Sequence, residues 1–173
     1  MRVLAFSCVH LMGREAQGNL GTVDYRSAHE LMAYIKDTEP DLVINLGDFT
    51  EPFYDKEDVV DTLLPEYRQI EAIRLRGNHD RCLDLPDFVT VDGVRYEHGH
   101  KLASGKTSTR AEYIEMARKG AAALTIPIVH GHTHSPYRAE TGFPLDVGSI
   151  TYSQTAALII DGLHTEILTF AGR

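Results

Sequence analysis

The sequence predicts a single α/β domain whose mostly parallel β-sheet is extended by antiparallel strands near the C-terminal end. Two short apolar runs, 2–6 and 41–46, flank a segment whose apolar residues recur at helical spacing, which is the pattern of a βαβ unit. Two later segments, 153–160 and 165–170, are joined through an Asp-Gly pair, a strong signal for a β-hairpin. At 173 residues, with 43% hydrophobic and 24% charged residues, the chain is long enough for one well-formed core.

The individual elements follow from local patterns. The two apolar runs are rich in β-branched residues, as is typical of strands buried on both faces of a sheet. The first helix is predicted from the spacing of Ala28, Leu31, Met32 and Ile35, and Pro40 closes it because proline cannot continue a helix. The next elements are a helix around 59–64 that Pro65 ends, a strand over 71–76, a helix over about 108–123 and a strand over 126–129. No repeat or linker divides the chain, so residues 1–173 are expected to form one domain.

Composition and charge disfavour several classes of protein. The formal net charge of −8 removes the basic surface with which most proteins hold nucleic acid, so a broad DNA-binding surface is not expected. No apolar run approaches the roughly 18–20 residues needed to cross a bilayer, so no membrane partner is expected. The two cysteines, Cys8 and Cys82, do not resemble the disulfide framework of a secreted domain. We therefore expect a cytoplasmic protein.

Polar clusters follow the predicted strands. They are Ser7-Cys8-Val9-His10, Gly47-Asp48, Gly77-Asn78-His79-Asp80, His98-Gly99-His100 and Gly131-His132-Thr133-His134. Because the carboxyl ends of strands in α/β sheets face the ligand-binding crevice, these clusters are expected to meet in one place. Imidazole, carboxylate and amide groups together are the ligands expected for Zn, Mn, Fe or Ni rather than for calcium. The sequence therefore predicts a metal site.

The motifs resemble those of the calcineurin-like metallophosphoesterase family, whose pattern runs Asp-x-His, Gly-Asp, Gly-Asn-His-Asp/Glu, His and Gly-His-x-His. Four of these match in order between residues 8 and 149. The resemblance implies a four-layer α/β/β/α sandwich of two mixed β-sheets flanked by helices. It also implies hydrolysis of a phosphomonoester or phosphodiester by hydroxide bound to two divalent metal ions, with a small phosphoester as the partner.

Carried over position by position, the resemblance implies two sets of metal ligands that share Asp48. The first set is His10, Asp48 and His134, and the second is Asp48, Asn78, His98 and His132. His98 is favoured over His100, because the His-Gly-His segment of the family usually uses its first histidine. The two ions are expected to be Mn, Zn, Fe or Ni.

The resemblance also implies catalytic and substrate-binding residues. His79 takes the role of a histidine that stabilises the charged transition state or protonates the leaving oxygen, and Asp80 is expected to orient its ring. Asn78 and His79 are expected to contact the substrate. Arg14 and Arg81 follow the motifs closely enough to contact a substrate phosphate as well.

The sequence departs from the family pattern at two positions. Asp146 begins the segment Asp-Val-Gly-Ser, where the family often has asparagine, and Cys8 replaces the first aspartate. Two interpretations of Cys8 stay open. It is either a thiolate ligand of the first ion, which favours Zn²⁺ or Fe²⁺, or a small buried apolar residue that leaves this ion with three protein ligands.

Other branches of the family offer alternative functions. The serine/threonine phosphatase branch is disfavoured, because Asp48 is followed by Phe-Thr-Glu-Pro and not by a Val-Asp-Arg-Gly run. A metal-binding scaffold without significant catalysis, like the retromer subunit of this family, is the main alternative, and the presence of His79 argues against it. A nuclease is the weaker alternative, because the chain is acidic.

Overall fold

The computed structural model of the protein describes residues 1–12, 24–51, 57–80, 83–103 and 109–170. Strands and helices alternate in its first part. In chain order the elements are β1 (Arg2–Phe6), α1 (Arg26–Thr38), β2 (Leu42–Asn45), α2 (Glu57–Leu63), β3 (Ala72–Arg74), β4 (Phe88–Val91), β5 (Val94–Glu97), α3 (Arg110–Ala122), β6 (Ile128–His130), β7 (Tyr137–Arg138), β8 (Leu145–Asp146), β9 (Thr155–Ile160) and β10 (His164–Thr169). A 3₁₀ turn over Pro65–Gln69 separates α2 from β3.

Sheet one contains five strands in the order β10-β9-β1-β2-β3. β1, β2 and β3 are parallel, and Ala5 of β1 lies beside Ile44 of β2. On the other side of β1, β9 runs antiparallel and pairs Ala157 with Ala5, and β10 returns antiparallel to β9. The predicted antiparallel strands beside a parallel βαβ unit are therefore confirmed.

Sheet two contains the other five strands in the order β4-β5-β6-β8-β7. Its three central strands are parallel, and β4 and β7 are antiparallel edge strands. The two sheets pack face to face, because Ala5 and Ile44 of sheet one share an apolar core with Tyr96 and Val129 of sheet two. The two mixed sheets of the predicted sandwich are confirmed.

Helices cover the outer faces of both sheets. α1 buries Leu31 and Met32 in a second apolar cluster, which also contains Leu4 and Phe6 of β1. α3 lies against sheet two, where the guanidinium of Arg118 is 4.4 Å from the ring centroid of Tyr137 in β7. This arrangement gives the layers expected of an α/β/β/α sandwich.

The helix ends follow ordinary capping rules. α1 stops before Pro40, where Glu39 adopts a left-handed conformation with φ of 44° and donates its N–H to the carbonyl of Ile35. α3 begins with a capping box, in which the side chain of Thr109 accepts from the N–H of Glu112 and the glutamate side chain accepts in return. None of the helices in the described ranges is long and apolar enough to cross a membrane.

The hairpin formed by β4 and β5 is absent from the sequence prediction. Its turn contains Asp92-Gly93, which is the same signal that marks the hairpin at Asp161-Gly162. β4 is a four-residue edge strand that exposes Phe88 and Thr90, so it lacks the continuous apolar run of a central strand. The two-residue strands β7 and β8 are also too short to leave a periodic pattern.

Candidate metal centre

The polar clusters at the strand ends meet at one edge of the sandwich. They are positioned by five strands from both sheets: β1 leads to Cys8 and His10, β2 to Asp48, β3 to Asn78 and His79, β5 to His98, and β6 to His132 and His134. Because β1, β2 and β3 are parallel, as are β5 and β6, their carboxyl ends point towards the same crevice. The topology thus brings together side chains that are far apart in the sequence.

The backbone of this region is strained at five positions. Non-glycine residues with positive φ are Cys8 (58°), His10 (51°), Asp48 (53°), His132 (70°) and His134 (55°). Each left-handed residue of this kind costs on the order of 1–3 kcal/mol, so it persists only where surrounding contacts enforce it. The N–H groups of Cys8 and His10 are held by the carbonyls of Gly47 and Asp48, both at 3.0 Å. Strain concentrated in this way is typical of functional sites.

The first group of possible metal ligands surrounds Cys8. Its Sγ and ring nitrogens of His10 and His134 all lie within 4.8 Å of one another. Nε2 of His10 is 3.2 Å from Nε2 of His134. Cys8 and His98 form an equally close group with a carboxylate oxygen of Asp48, and Asp48 also joins His10 and His79 in a third group. Asp48 is therefore at the middle of the cluster.

The second group surrounds Nε2 of His98. This atom is 3.0 Å from Oδ2 of Asp48, 3.1 Å from Oδ1 of Asn78 and 3.0 Å from Nδ1 of His132. A ring nitrogen carries at most one proton, so it cannot donate to all three atoms at once. A cation among these four donor atoms would satisfy them together, and their N and O chemistry suits a divalent transition metal. The residues present therefore fit a metal ion.

Burial sets the protonation of the cluster. Burial away from solvent lowers the pKa of His132 to about 3, and the charge of His98 contributes to this shift. Loss of solvent and the charge of His10 lower the pKa of His134 to about 4. Burial also raises the pKa of Asp48, but the hydrogen bond and charge of His98 outweigh this effect and hold the pKa well below its usual range. Near pH 7 the rings of His132 and His134 are thus neutral and the carboxylate of Asp48 is ionised.

Cys8 is fully buried and is a neutral thiol in the metal-free protein. Burial and the nearby charge of Asp48 raise the pKa of this thiol well above its usual range. Oγ of Ser7 is 3.1 Å from Sγ. Because a thiolate is the ligating form, binding of a cation to Cys8 would release a proton.

The ring of His79 is held by Glu51 and not by Asp80. Nδ1 of His79 lies 2.9 Å from Oε2 of Glu51, and Nδ1 of His10 lies 2.8 Å from Oε1 of the same carboxylate. The hydrogen bond from His10 outweighs partial burial and lowers the pKa of Glu51, so the carboxylate is ionised. The expected contact of Asp80 with the His79 ring is therefore wrong. Glu51 stands three residues after Asp48, and this short spacing is the signal that could have identified it.

Asp80 instead turns inward and fixes the backbone beside Asp48. Its Oδ2 accepts the N–H of Asp48 at 2.7 Å and the N–H of Gly77 at 2.9 Å. Space at this point is tight, since a Cβ on Gly77 would lie 2.1 Å from Oδ1 of Asp48. Asp80 therefore supports the position of Asp48 and does not orient His79.

The structure separates the remaining predicted residues. His98 contacts Asp48 and Asn78 directly, whereas His100 is in none of the close donor groups of the described residues and its buried Nδ1 has no hydrogen-bond partner among them. Arg14 and Arg81 lie outside the described residues, so their contact with a substrate stays a prediction.

The segment 146–149 is hydrogen-bonded to two loops that carry proposed metal ligands. Oδ1 of Asp146 accepts the N–H of Gly148 at 2.9 Å, and its Oδ2 accepts from the hydroxyl of Thr133, which lies between the two histidines of Gly-His-Thr-His. Ser149 donates from Oγ to the carbonyl of Cys8 at 2.8 Å. Asp146 and Ser149 together therefore connect the loop of Thr133 to the loop of Cys8.

Two residues at the rim are absent from the sequence prediction. The ring of Tyr152 stacks on His134, with centroids 4.7 Å apart and planes 15° apart. Nη2 of Arg110 donates to the carbonyl of Thr133 at 3.1 Å. Neither belongs to a motif, and only the folded chain places both beside His134.

Comparisons with known proteins agree with this fold. A family model described as calcineurin-like phosphoesterase matches residues 1–156, and no curated protein is a significant match. Among solved structures, a metallophosphoesterase from Sphaerobacter thermophilus has a TM-score of 0.53 at 16% identity, over 99% of this chain and 90% of that one. Yfce, a phosphoesterase from E. coli, has a TM-score of 0.53 at 14% identity, over 99% and 100%. The nuclease MPE from Pseudomonas putida has a TM-score of 0.50 at 16% identity, over 96% and 87%. At these identities the similarity shows a shared fold.

Proposed function

Because the chain belongs to the calcineurin-like phosphoesterase family, we propose that it hydrolyses phosphomonoesters or phosphodiesters with two divalent cations bound around Asp48. The observation that carries this proposal is the sharing of one carboxylate. Asp48 belongs to a close donor group with Cys8 and His98 and to another with His10 and His79. A shared ligand of this kind is what a pair of closely spaced cations requires.

We assign the ligands of the two cations from the order of the family motifs, and the close contacts of the donor atoms support this assignment. The first cation would be held by Cys8, His10, Asp48 and His134, and the second by Asp48, Asn78, His98 and His132. Sulfur, nitrogen and oxygen donors in this mixture suit Zn, Fe, Mn or Ni. When bound, such a pair polarises the phosphoryl oxygens and lowers the pKa of a coordinated water.

His79 would supply the proton that the leaving oxygen needs. The backbone N–H of His79 donates to Oδ1 of Asp48 at 2.8 Å, which keeps the residue beside the proposed ligands. Because Nδ1 is bound to Glu51, Nε2 is the ring atom that can meet a substrate, and 30% of the side chain is exposed. In the protonated ring Nε2 carries a proton, which it can pass to the leaving oxygen.

The main rival is a scaffold that binds metal without significant catalysis. A purely structural cation site needs no proton donor at its rim. His79 is partly exposed and is backed by the carboxylate of Glu51, so its arrangement favours an enzyme.

The proposal is tested with purified protein loaded with Zn²⁺ or Mn²⁺. We expect hydrolysis of at least one member of a panel of p-nitrophenyl phosphate, bis-p-nitrophenyl phosphate and cyclic nucleotides, and DNA is assayed beside this panel. A chelator and Asp48→Asn should each abolish it, whereas Asp37→Asn, on the exposed side of α1, should not. Folded, metal-loaded protein that hydrolyses none of these compounds would support the scaffold, and cleavage of DNA alone would support a nuclease.

A further inference from the structure

Tyr152 is a rigid, exposed aromatic ring at the rim of the metal centre. It is 58% exposed, more than any other aromatic residue in the described ranges. One face of the ring stacks on His134 and the ring also meets His10, with centroids 5.7 Å apart, so the exposed surface of Tyr152 lies away from these two histidines. Its N–H donates to Oγ of Ser149 at 3.1 Å, and Oγ1 of the preceding Thr151 donates to the carbonyl of Val9. The ring is thus preorganised by a loop that is attached to the end of β1.

Arg110 brings a positive charge to the same side of the centre. Its hydrogen bond to the carbonyl of Thr133 places the guanidinium beside His134. After burial and the charge of His10, the charge of Arg110 also contributes to the lowered pKa of His134. The arginine salt bridges found among the described residues involve other arginines and not Arg110. A guanidinium has five N–H donors, so donors remain for an anionic ligand.

Negative charge around the metal centre gives the cation of Arg110 a role in binding an anionic substrate. The chain carries a formal charge of −8, and Asp48 and Glu51 are ionised within the cluster. An anionic phosphoester therefore meets a negative potential unless cations offset it. In contrast to Arg110, Lys101 is paired with a carboxylate, that of Asp87, at 2.9 Å.

We infer that Tyr152 and Arg110 form a subsite that selects phosphoesters with an aromatic group. The aromatic ring of the substrate, an aryl group or a nucleobase, stacks on the exposed surface of Tyr152. Arg110 contacts a phosphoryl oxygen that the cations leave free. This inference rests on the proposed function and narrows its substrate class.

Two phosphonates test the subsite without hydrolysis. Phenylphosphonate and methylphosphonate differ only in the aromatic ring, and neither has an ester bond to cleave. Calorimetric titration of the full, Zn²⁺-loaded chain is expected to give about ten-fold tighter binding of phenylphosphonate, since stacking of one ring is worth about one order of magnitude in Kd or more. Tyr152→Ala should bring the two Kd values within about two-fold of each other. Tyr152→Phe keeps the ring and should keep the preference.

Arg110→Gln tests the other half of the subsite. It should weaken both phosphonates by a similar factor, about five- to ten-fold, because it removes a charge-assisted contact with the shared phosphonate group. Metal content and circular dichroism of each variant should match those of the wild type.

The possible failures are distinguishable. A preference that persists in Tyr152→Ala, or wild-type Kd values that are equal, would overturn the aromatic selection while phosphoester hydrolysis stands. Unchanged Kd values in Arg110→Gln would overturn the role of the arginine. If neither phosphonate binds and no ester of the panel is hydrolysed, the proposed function and the subsite fail together.

Discussion

Nδ1 of His79 lies 2.9 Å from Oε2 of Glu51, and the other oxygen of this carboxylate faces Nδ1 of His10 at 2.8 Å. One side chain thus joins a proposed metal ligand to the proposed proton donor. Carboxylates behind ligating histidines fix the ring orientation and raise its basicity. Glu51 is therefore expected to act through both histidines, as a positioning residue.

Glu51→Gln should lower kcat by about 10- to 100-fold and weaken binding of the first cation by a similar factor, because glutamine cannot accept from both rings. A double-mutant cycle checks the route of the effect. In a His79→Ala background the loss in kcat should shrink, since residues that act as a unit are not additive. Equal losses in both backgrounds would show that Glu51 does not act through His79. Glu71→Gln, at an exposed position, is the control.

His79→Ala should lower kcat by about 10²- to 10⁴-fold, the usual contribution of a positioned general acid. Metal content, measured by atomic emission, should stay near that of the wild type because the proposed ligand sets are complete without this ring. Loss of metal would identify His79 as a ligand instead. His164→Ala, in the exposed part of β10, should leave both quantities unchanged.

Substitutions of Cys8 distinguish the two interpretations of this residue. If the thiolate binds the first cation, Cys8→Ala should weaken one of two binding steps in a Zn²⁺ titration, and Cys8→Asp should shift activation towards Mn²⁺, which prefers oxygen. Zn²⁺ binding to the wild type should also release more protons than binding to Cys8→Ala, because burial keeps the thiol protonated in the metal-free protein. Equal stoichiometry and affinity in wild type and Cys8→Ala would rule out a thiolate ligand.

The metal-free protein should lose stability as the pH falls from 7 to 5. The folded-state pKa values of His132 and His134, about 3 and about 4, lie below the ordinary value of 6.5. Between these values the unfolded chain binds protons that the folded chain does not, so stability is full above about pH 6.5 and falls below it. For His132 alone the loss between pH 7 and pH 5 is about 2 kcal/mol.

Thermal unfolding in the presence of a chelator measures this loss. His132→Gln should reduce the fall in Tm between pH 7 and pH 5, whereas His164→Gln should not, because His164 is exposed. A wild-type Tm that is independent of pH over this range would contradict the burial of neutral rings.

Much of the fold is predictable because apolar periodicity reports burial directly. β1, β2 and α1 bury their apolar residues completely or nearly so, and their patterns are clear in the sequence. The hairpin of β4 and β5 was not predicted, because β4 is a short edge strand that leaves its apolar side chains partly or largely exposed. The Asp92-Gly93 turn was the one local signal of this hairpin.

The metal centre is likewise predictable in part. The motifs identify its donor residues, but the partners of Glu51 and Asp80 depend on side-chain directions. Those directions are set by left-handed turns at Cys8, His10 and Asp48, where no glycine marks the unusual backbone. Contacts at the rim are harder still, because they join loops from distant parts of the chain.

A metal titration tests most directly whether two cations bound around Asp48 make this chain a phosphoesterase. Metal-free protein is titrated with Zn²⁺ or Mn²⁺ while bound metal is counted and hydrolysis of each ester of the panel is followed. We predict that the rate rises until two equivalents are bound and is constant beyond them. Rates that stay at background for every ester of the panel with two equivalents bound would contradict the proposed function.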